Sequence, residues 1–198
     1  MGLASLRTLL LPCAVTLLSV PQLAAARGMT ATSSTAPGAS TVSTPASPAA
    51  RPADVASMDA IMNAVYDVIS GPAGQPRDWD RLRSLFVPGA RLIPAHTGKD
   101  DVTMTRVLSV EDYIRLGEPI VRKEGFFERE VHRTVDRFGN IAQVFDTYES
   151  RHAATDAKPF QRGINSFQLL FDGHRWWIVT IYWQAERPDL PIPKQYGG

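Results

Sequence analysis

INSFQLLFDGHRWWIVTIYW, residues 164–183, reads as two apolar strands joined by a tight turn. Asp172-Gly173 lies between Phe171 and His174. An Asp-Gly pair between apolar runs is a hairpin signature, because glycine accepts the positive φ that such turns demand. Side chains alternate across a strand. With the turn at Asp172-Gly173, Phe167, Leu169, Phe171, Trp176 and Ile178 share one face, and Ile164, Leu170, Trp177, Val179, Ile181 and Trp183 share the other. A sheet apolar on both faces needs a cover on both. Helices of the same chain cover one, and a second copy of the chain is the simplest cover for the other, so a homodimer through the sheet is expected.

Outward from this hairpin, the second half of the chain reads as an antiparallel meander with strands over 126–136, 140–151, 163–171 and 175–184. Asp136-Arg137-Phe138-Gly139 suits a type I turn with a bulge. Helices come first. Ser57 can cap a helix whose apolar residues, Ile61, Val65, Val68 and Ile69, recur at helical spacing until Gly71-Pro72 ends it. Asp78 can cap a second, short helix with Trp79, Leu82, Leu85 and Phe86 on one face, stopped by Pro88-Gly89. Short strands over 90–95 and 102–108 follow, and Ser109 can cap a third helix from Val110 to about Lys123. Helices followed by a run of strands give an α+β class.

The ends lie outside this unit. Residues 1–26 hold one charge, Arg7, an apolar run from Thr8 to Val20, and Ala24-Ala25-Ala26, which is the layout of a signal peptide cleaved after Ala26. The apolar run is shorter than the ~20 residues of a spanning helix. Cys13 offers lipid attachment as an alternative, but Pro12 precedes it where a small residue is usual. Export to the periplasm or the exterior is expected, without a membrane partner after cleavage. Residues 27–56, rich in Ala, Ser, Thr and Pro, read as a disordered linker, and 187–198 as a loose tail, leaving 57–186 as the folded domain. Cys13 is the only cysteine, so the mature domain depends on its core alone. Losing residues 1–26 leaves 20 basic and 20 acidic residues, a balance that does not suggest a nucleic-acid partner.

DWDRLRSLFVPGARLI, residues 78–93, resembles the opening of nuclear transport factor 2-like domains, where a helix ending in Leu-Phe leads through a small turn into a strand. The 164–183 hairpin is similar to the closing hairpin of the same superfamily, so the resemblance spans 57–186. It implies a cystatin-like cone, a curved sheet wrapped around the N-terminal helices, with a hydrophobic pocket for a small apolar molecule. Superfamily members include ketosteroid isomerases, SnoaL-like cyclases, dehydratases and non-catalytic domains, and the fold does not choose among them.

A bulged turn at 136–139 would place Glu128, Glu130, His132 and Thr134 on one strand face, across from Tyr148, Asp146 and Val144. Glu130, His132 and Asp146 are then the candidate catalytic set: a buried carboxylate has a raised pKa, and an imidazole titrates near neutrality. A two-residue turn would reverse the facing set, and a solvated charged strand is the alternative reading. Tyr66, Tyr148, Asn165, Ser166, Gln168 and Trp183 are candidate ligand contacts, with Ser166 and Gln168 expected on the face of Trp183. Tyr66, on the first helix, resembles in position the tyrosine of the isomerases, but no second acid beside it can be placed from the sequence. His96, His132, His152 and His174 show no metal-ligand spacing, and no phosphate loop or nucleophile elbow occurs, so no metal or cofactor is expected. Three functions remain open: a small-molecule-binding domain, a cofactor-free isomerase, lyase or hydrolase, and a structural partner-binding domain.

Overall fold

The computed structural model of the chain describes residues 47–98 and 100–198. The expected signal peptide and most of the expected linker lie outside them. The elements in chain order are α1 (Pro52–Val55), α2 (Met58–Ile69), α3 (Trp79–Ser84), β1 (Phe86–Thr97), β2 (Thr103–Thr105), α4 (Val110–Glu124), β3 (Phe127–Phe138), β4 (Ile141–Arg151), β5 (Gln161–Phe171), β6 (Trp176–Ala185) and a C-terminal 3-10 turn (Lys194–Tyr196). The strands form one curved, unclosed sheet in the order β2-β1-β6-β5-β4-β3. All neighbours pair antiparallel except β1 and β6, which are parallel. This is the expected α+β class, a curved sheet with the helices packed against it.

The helix caps follow from local chemistry. Ser57 Oγ accepts from the Ala60 amide at 3.0 Å, and Asp78 Oδ1 accepts from the Arg81 amide at 3.0 Å. Ser109 and Asp112 form a reciprocal capping box. The amphipathic face of α2 buries Ile61, Met62, Val65 and Val68 against the inner face of the sheet. There they meet Val144, Phe167, Leu169 and Ile178, all at most 2% exposed.

Two β-bulges decide which residues look inward. An extra residue in one strand turns every side chain beyond it to the other face. In β6 the extra residue is Val179, since Leu169 pairs with Ile178 but Gln168 pairs with Thr180. Phe171, Leu169, Trp176 and Ile178 keep their expected inner face, but Ile181 and Trp183 join them instead of facing outward. In β3 the extra residue is Val131, since Glu130 pairs with Tyr148 but His132 pairs with Thr147. The β3–β4 turn is also tighter than expected. Pairing continues to Phe138 and Ile141, leaving only Gly139, with φ 56°, and Asn140 in the turn.

The boundaries of the folded part differ from expectation. Within the expected linker, Pro52–Val55 is helical, Val55 joins the core, and Asp54 pairs with Arg81 Nε at 2.8 Å. The composition of 27–56 hides this because the docking depends on one apolar and one acidic side chain. The expected loose tail is a strap across the outer sheet face. Ile192 is buried, Thr147 Oγ1 donates to the Tyr196 carbonyl, the Tyr196 ring lies 5.1 Å from that of Phe145, and Arg162 Nη2 donates to the Gly197 carbonyl at 3.1 Å. Three prolines in this segment limit its freedom, so few contacts suffice to hold it. β1 begins at Phe86, earlier than expected, and β2 spans only Thr103–Thr105.

Candidate functional site

α2 and β3 meet where Ser70, just past the end of α2, ties the two together. Its hydroxyl donates to the Tyr66 carbonyl at 2.7 Å and accepts from the Glu128 amide at 3.0 Å. Arg77, itself buried, donates to the carbonyls of Ile69 at 3.0 Å and Gln75 at 2.7 Å and so closes the C-terminal end of the helix. Above this junction opens a cleft of about 670 Å³, lined by Tyr66 and Asp67 from α2, Ser70 beyond its end, Phe127 to Glu130 and Arg133 from β3, and Arg151 to Ala157 in part.

Behind the cleft wall sits a buried polar cluster. The Tyr66 hydroxyl donates to Asp146 Oδ2, and Asn165 Nδ2 donates to the Tyr66 hydroxyl at 2.9 Å. Asp146 is fully buried and Asn165 is 6% exposed. Desolvation pushes the Asp146 carboxyl up to about 8; the Tyr66 hydrogen bond and Arg133 oppose this, while Glu130 and Glu128 add to it. Burial likewise pushes Glu128 up to about 7, against the bond it accepts from Ser150 Oγ at 2.6 Å. Desolvation and the neighbouring Asp146 raise Tyr66 well above the ordinary phenol value. Burial therefore favours the protonated forms of Asp146 and Tyr66 at neutral pH. Tyr148, also buried, packs so closely on β5 that a Cβ at Gly163 would collide with its hydroxyl.

The structure divides the sequence-expected residues. Asp146 and Glu130 share the inner face, where Glu130 Oε1 accepts from Arg133 Nε at 2.5 Å. His132 does not join them. The Val131 bulge turns it to the outer face, where its side chain lies under Gly197 of the strap. Thr134 goes the same way, opposite Phe145. Among the expected ligand contacts, Tyr66 lines the cleft and Asn165 and Tyr148 lie behind it. Ser166 and Gln168 face outward, opposite Tyr182 and Thr180, and not with Trp183. Trp183 pairs with Asn165 and sets its ring edge-on to Tyr113, 6.4 Å between centroids. Arg162 reaches Glu186 at 3.4 Å and Glu149 at 3.5 Å.

Ile61, Met62, Val144, Phe167 and Ile178 pack in the core, and the cleft between α2 and β3 is lined mainly by charged and polar groups. The second acid beside Tyr66 that sequence could not place is Asp146, brought there by the pairing of β4 with β5. Ser70, Arg133 and the burial of Glu128 also escaped sequence reading. A serine just past a helix end and an arginine three residues after a glutamate are the only local signs of them.

No protein-family model matches the chain, and no curated protein matches it. Solved structures similar to it include a protein of unknown function with a cystatin-like fold from Nostoc punctiforme, with TM-score 0.48 and 8% identity over 65% of this chain and 87% of that one. A second is an NTF-2 like protein of unknown function from Silicibacter pomeroyi, with TM-score 0.47 and 17% identity over 66% of this chain and 94% of that one. A third is an NTF2-like protein of unknown function from Methylobacillus flagellatus, with TM-score 0.43 and 16% identity over 66% and 95% of the two chains. The likeness is one of fold, and the proteins this chain is similar to are themselves nuclear transport factor 2-like or cystatin-like.

Proposed function

We propose that this chain is an exported small-molecule-binding domain whose ligand enters the cleft between α2 and β3 and meets the Tyr66–Asp146–Asn165 cluster. The observation that carries the reading is the buried Tyr66–Asp146 hydrogen bond directly behind an open cleft. Buried ionisable groups are costly, and a carboxyl held protonated at neutral pH beside an opening is characteristic of a working site. The ligand is small and polar, in keeping with the lining. Export rests on the composition of residues 1–26.

A second reading, a cofactor-free acid–base catalyst, is favoured by one further observation. Glu128 lines the cleft and titrates near neutrality, where a group can both give and take a proton. In this reading Glu128 is the proton carrier, and the Tyr66–Asp146 pair offers hydrogen bonds to charge developing on the substrate. Glu130 orients Arg133, and His132 has no part.

Amide-shift mapping by NMR with a library of small polar molecules tests the binding reading. Hits are expected to move the Ser70, Glu128 and Glu130 amides and to weaken in Tyr66→Phe. Hits that cluster instead around Trp177 and Tyr182 on the outer face would overturn it.

A further inference from the structure

The inner end of the cleft carries more carboxyl groups than its own cations and donors serve. Among the described residues, Arg133 is the one guanidinium on the inner face there, and it is shared between Glu130 and Asp59, at 2.5 and 2.6 Å. Arg129 and Arg151, at the rim, both bind Glu149 Oε2, at 3.1 and 2.8 Å. Among the described residues, Glu128 and Asp146 have no ion-pair partner; each has one hydroxyl, from Ser150 and Tyr66. Two carboxyl oxygens, Asp146 Oδ1 and Glu130 Oε2, are buried from solvent and have no hydrogen-bond partner at all. Native interiors seldom leave such atoms orphaned.

We propose that this end of the cleft is a site for a small organic cation bearing several N–H donors, of the amidinium or primary ammonium class, held by Glu128 and Glu130 with Asp146 behind them. The proposal rests on the reading of the cleft as a binding site and names its ligand class. What is missing from the site is both positive charge and donors. A neutral carbonyl compound brings acceptors to a place already rich in them, and an anion opposes the ionisation of carboxyls that have no cation beside them. A cation with N–H groups supplies both, and its N–H···carboxylate bonds are of the strong, charge-assisted kind.

Binding displaces protons, since the carboxyls that hold them near neutral pH must ionise to face the cation. The groups around them are Arg133 and Glu130 on β3, Tyr66, Asp67 and Asp59 on α2, Tyr148 and Ser150 on β4, Asn165 on β5 and Tyr113 on α4. Arg133 is the one cation among these groups, and Arg129 and Arg151 at the rim of the cleft are taken up by Glu149.

The test is isothermal titration calorimetry of the full chain with benzamidine, benzamide and benzoate at about pH 6 and about pH 8.5, in two buffers of different ionisation heat. Benzamidine is expected to bind at least about tenfold more tightly than benzamide, to gain affinity as pH rises, and to release protons. Glu128→Gln should weaken it by about tenfold and flatten the pH dependence, the loss of one charge-assisted bond. Arg133→Gln should tighten it, an outcome that a merely damaged fold does not produce. If benzamide binds as well as benzamidine, or benzamidine weakens as pH rises, the cation assignment fails while the cleft stands as a binding site. If none of the three binds, both fail.

Discussion

Asp146→Asn is expected to make the domain more stable at alkaline pH, although it replaces a hydrogen-bonded residue in the core. The carboxyl is raised from its ordinary 3.8 to about 8 by burial. A group whose folded pKa lies above its unfolded one binds more protons in the folded state between those values, so stability falls as pH rises through that window. Below about pH 4 both states are protonated and the group costs nothing; above about pH 8 the penalty is complete, with a ceiling of about 6 kcal/mol at ~1.4 kcal/mol per unit. Asparagine has no proton to lose. Its carbonyl can still accept the Tyr66 hydroxyl, and its amide supplies a donor where Asp146 Oδ1 and Glu130 Oε2 now lack one. Urea unfolding of both proteins at about pH 5.5, 7 and 8.5 gives the difference directly. Over the upper part of the window the variant should gain on the wild type by about 1 kcal/mol per pH unit. Glu128 titrates in the same direction in both proteins and cancels. Parallel pH profiles would refute the reasoning, because they would mean that Asp146 is already ionised in the folded protein.

Tyr66→Phe removes the donor to Asp146 and leaves Asn165 Nδ2 unpaired, and should cost about 1–3 kcal/mol in the same urea assay at neutral pH. Phe167→Ala, at 2% exposure and edge-on to Tyr66, should cost about 3–5 kcal/mol and lower the thermal midpoint accordingly. Truncation after Glu186 strips the strap from Thr147 and Phe145 and should lower the unfolding midpoint, with faster amide exchange confined to β3 and β4. Light scattering at micromolar concentration is expected to return a dimer, paired through the outer face around Trp177 and Tyr182; a monomer would refute the sheet-mediated pairing.

Element types and most of the order were legible in the sequence, because each cap and turn is a short-range event. Ser57, Asp78 and Ser109 declare their helices through one hydroxyl or carboxyl each. The facing of the sheet was legible only as far as the first bulge. Phe167 and Ile178 lie inside as their spacing requires, but Val179 and Val131 look like ordinary strand residues and give no local sign that they will be skipped by a partner. That is why His132 was grouped with Asp146 and why Trp183 was placed outside. Glu130 reached its expected face, opposite Tyr148, only because the tight turn at Gly139-Asn140 and the bulge at Val131 offset one another. Tyr66, Asp146 and Asn165 lie on three elements up to 99 residues apart, and no spacing rule joins them. The strap was illegible for a different reason: its composition is that of a loose tail, and its order comes from the surface it lies on.

β6 is the last strand made, and it sits between β1 and β5, with β2-β1 on one side and β5-β4-β3 on the other. Until residues 176–185 leave the ribosome, the sheet exists as two separate pieces with facing edges unpaired. The domain therefore cannot close while it is being synthesised, and its folding must wait for contacts that span some ninety residues of chain, from Phe86 to Ile178. Under the export proposed above, in which the chain crosses a membrane before it folds, this order of events is an advantage. It also exposes the edges of β1 and β5 to aggregation at exactly that stage, so a destabilised β6 should show itself first as lost yield and only later as a lowered melting point.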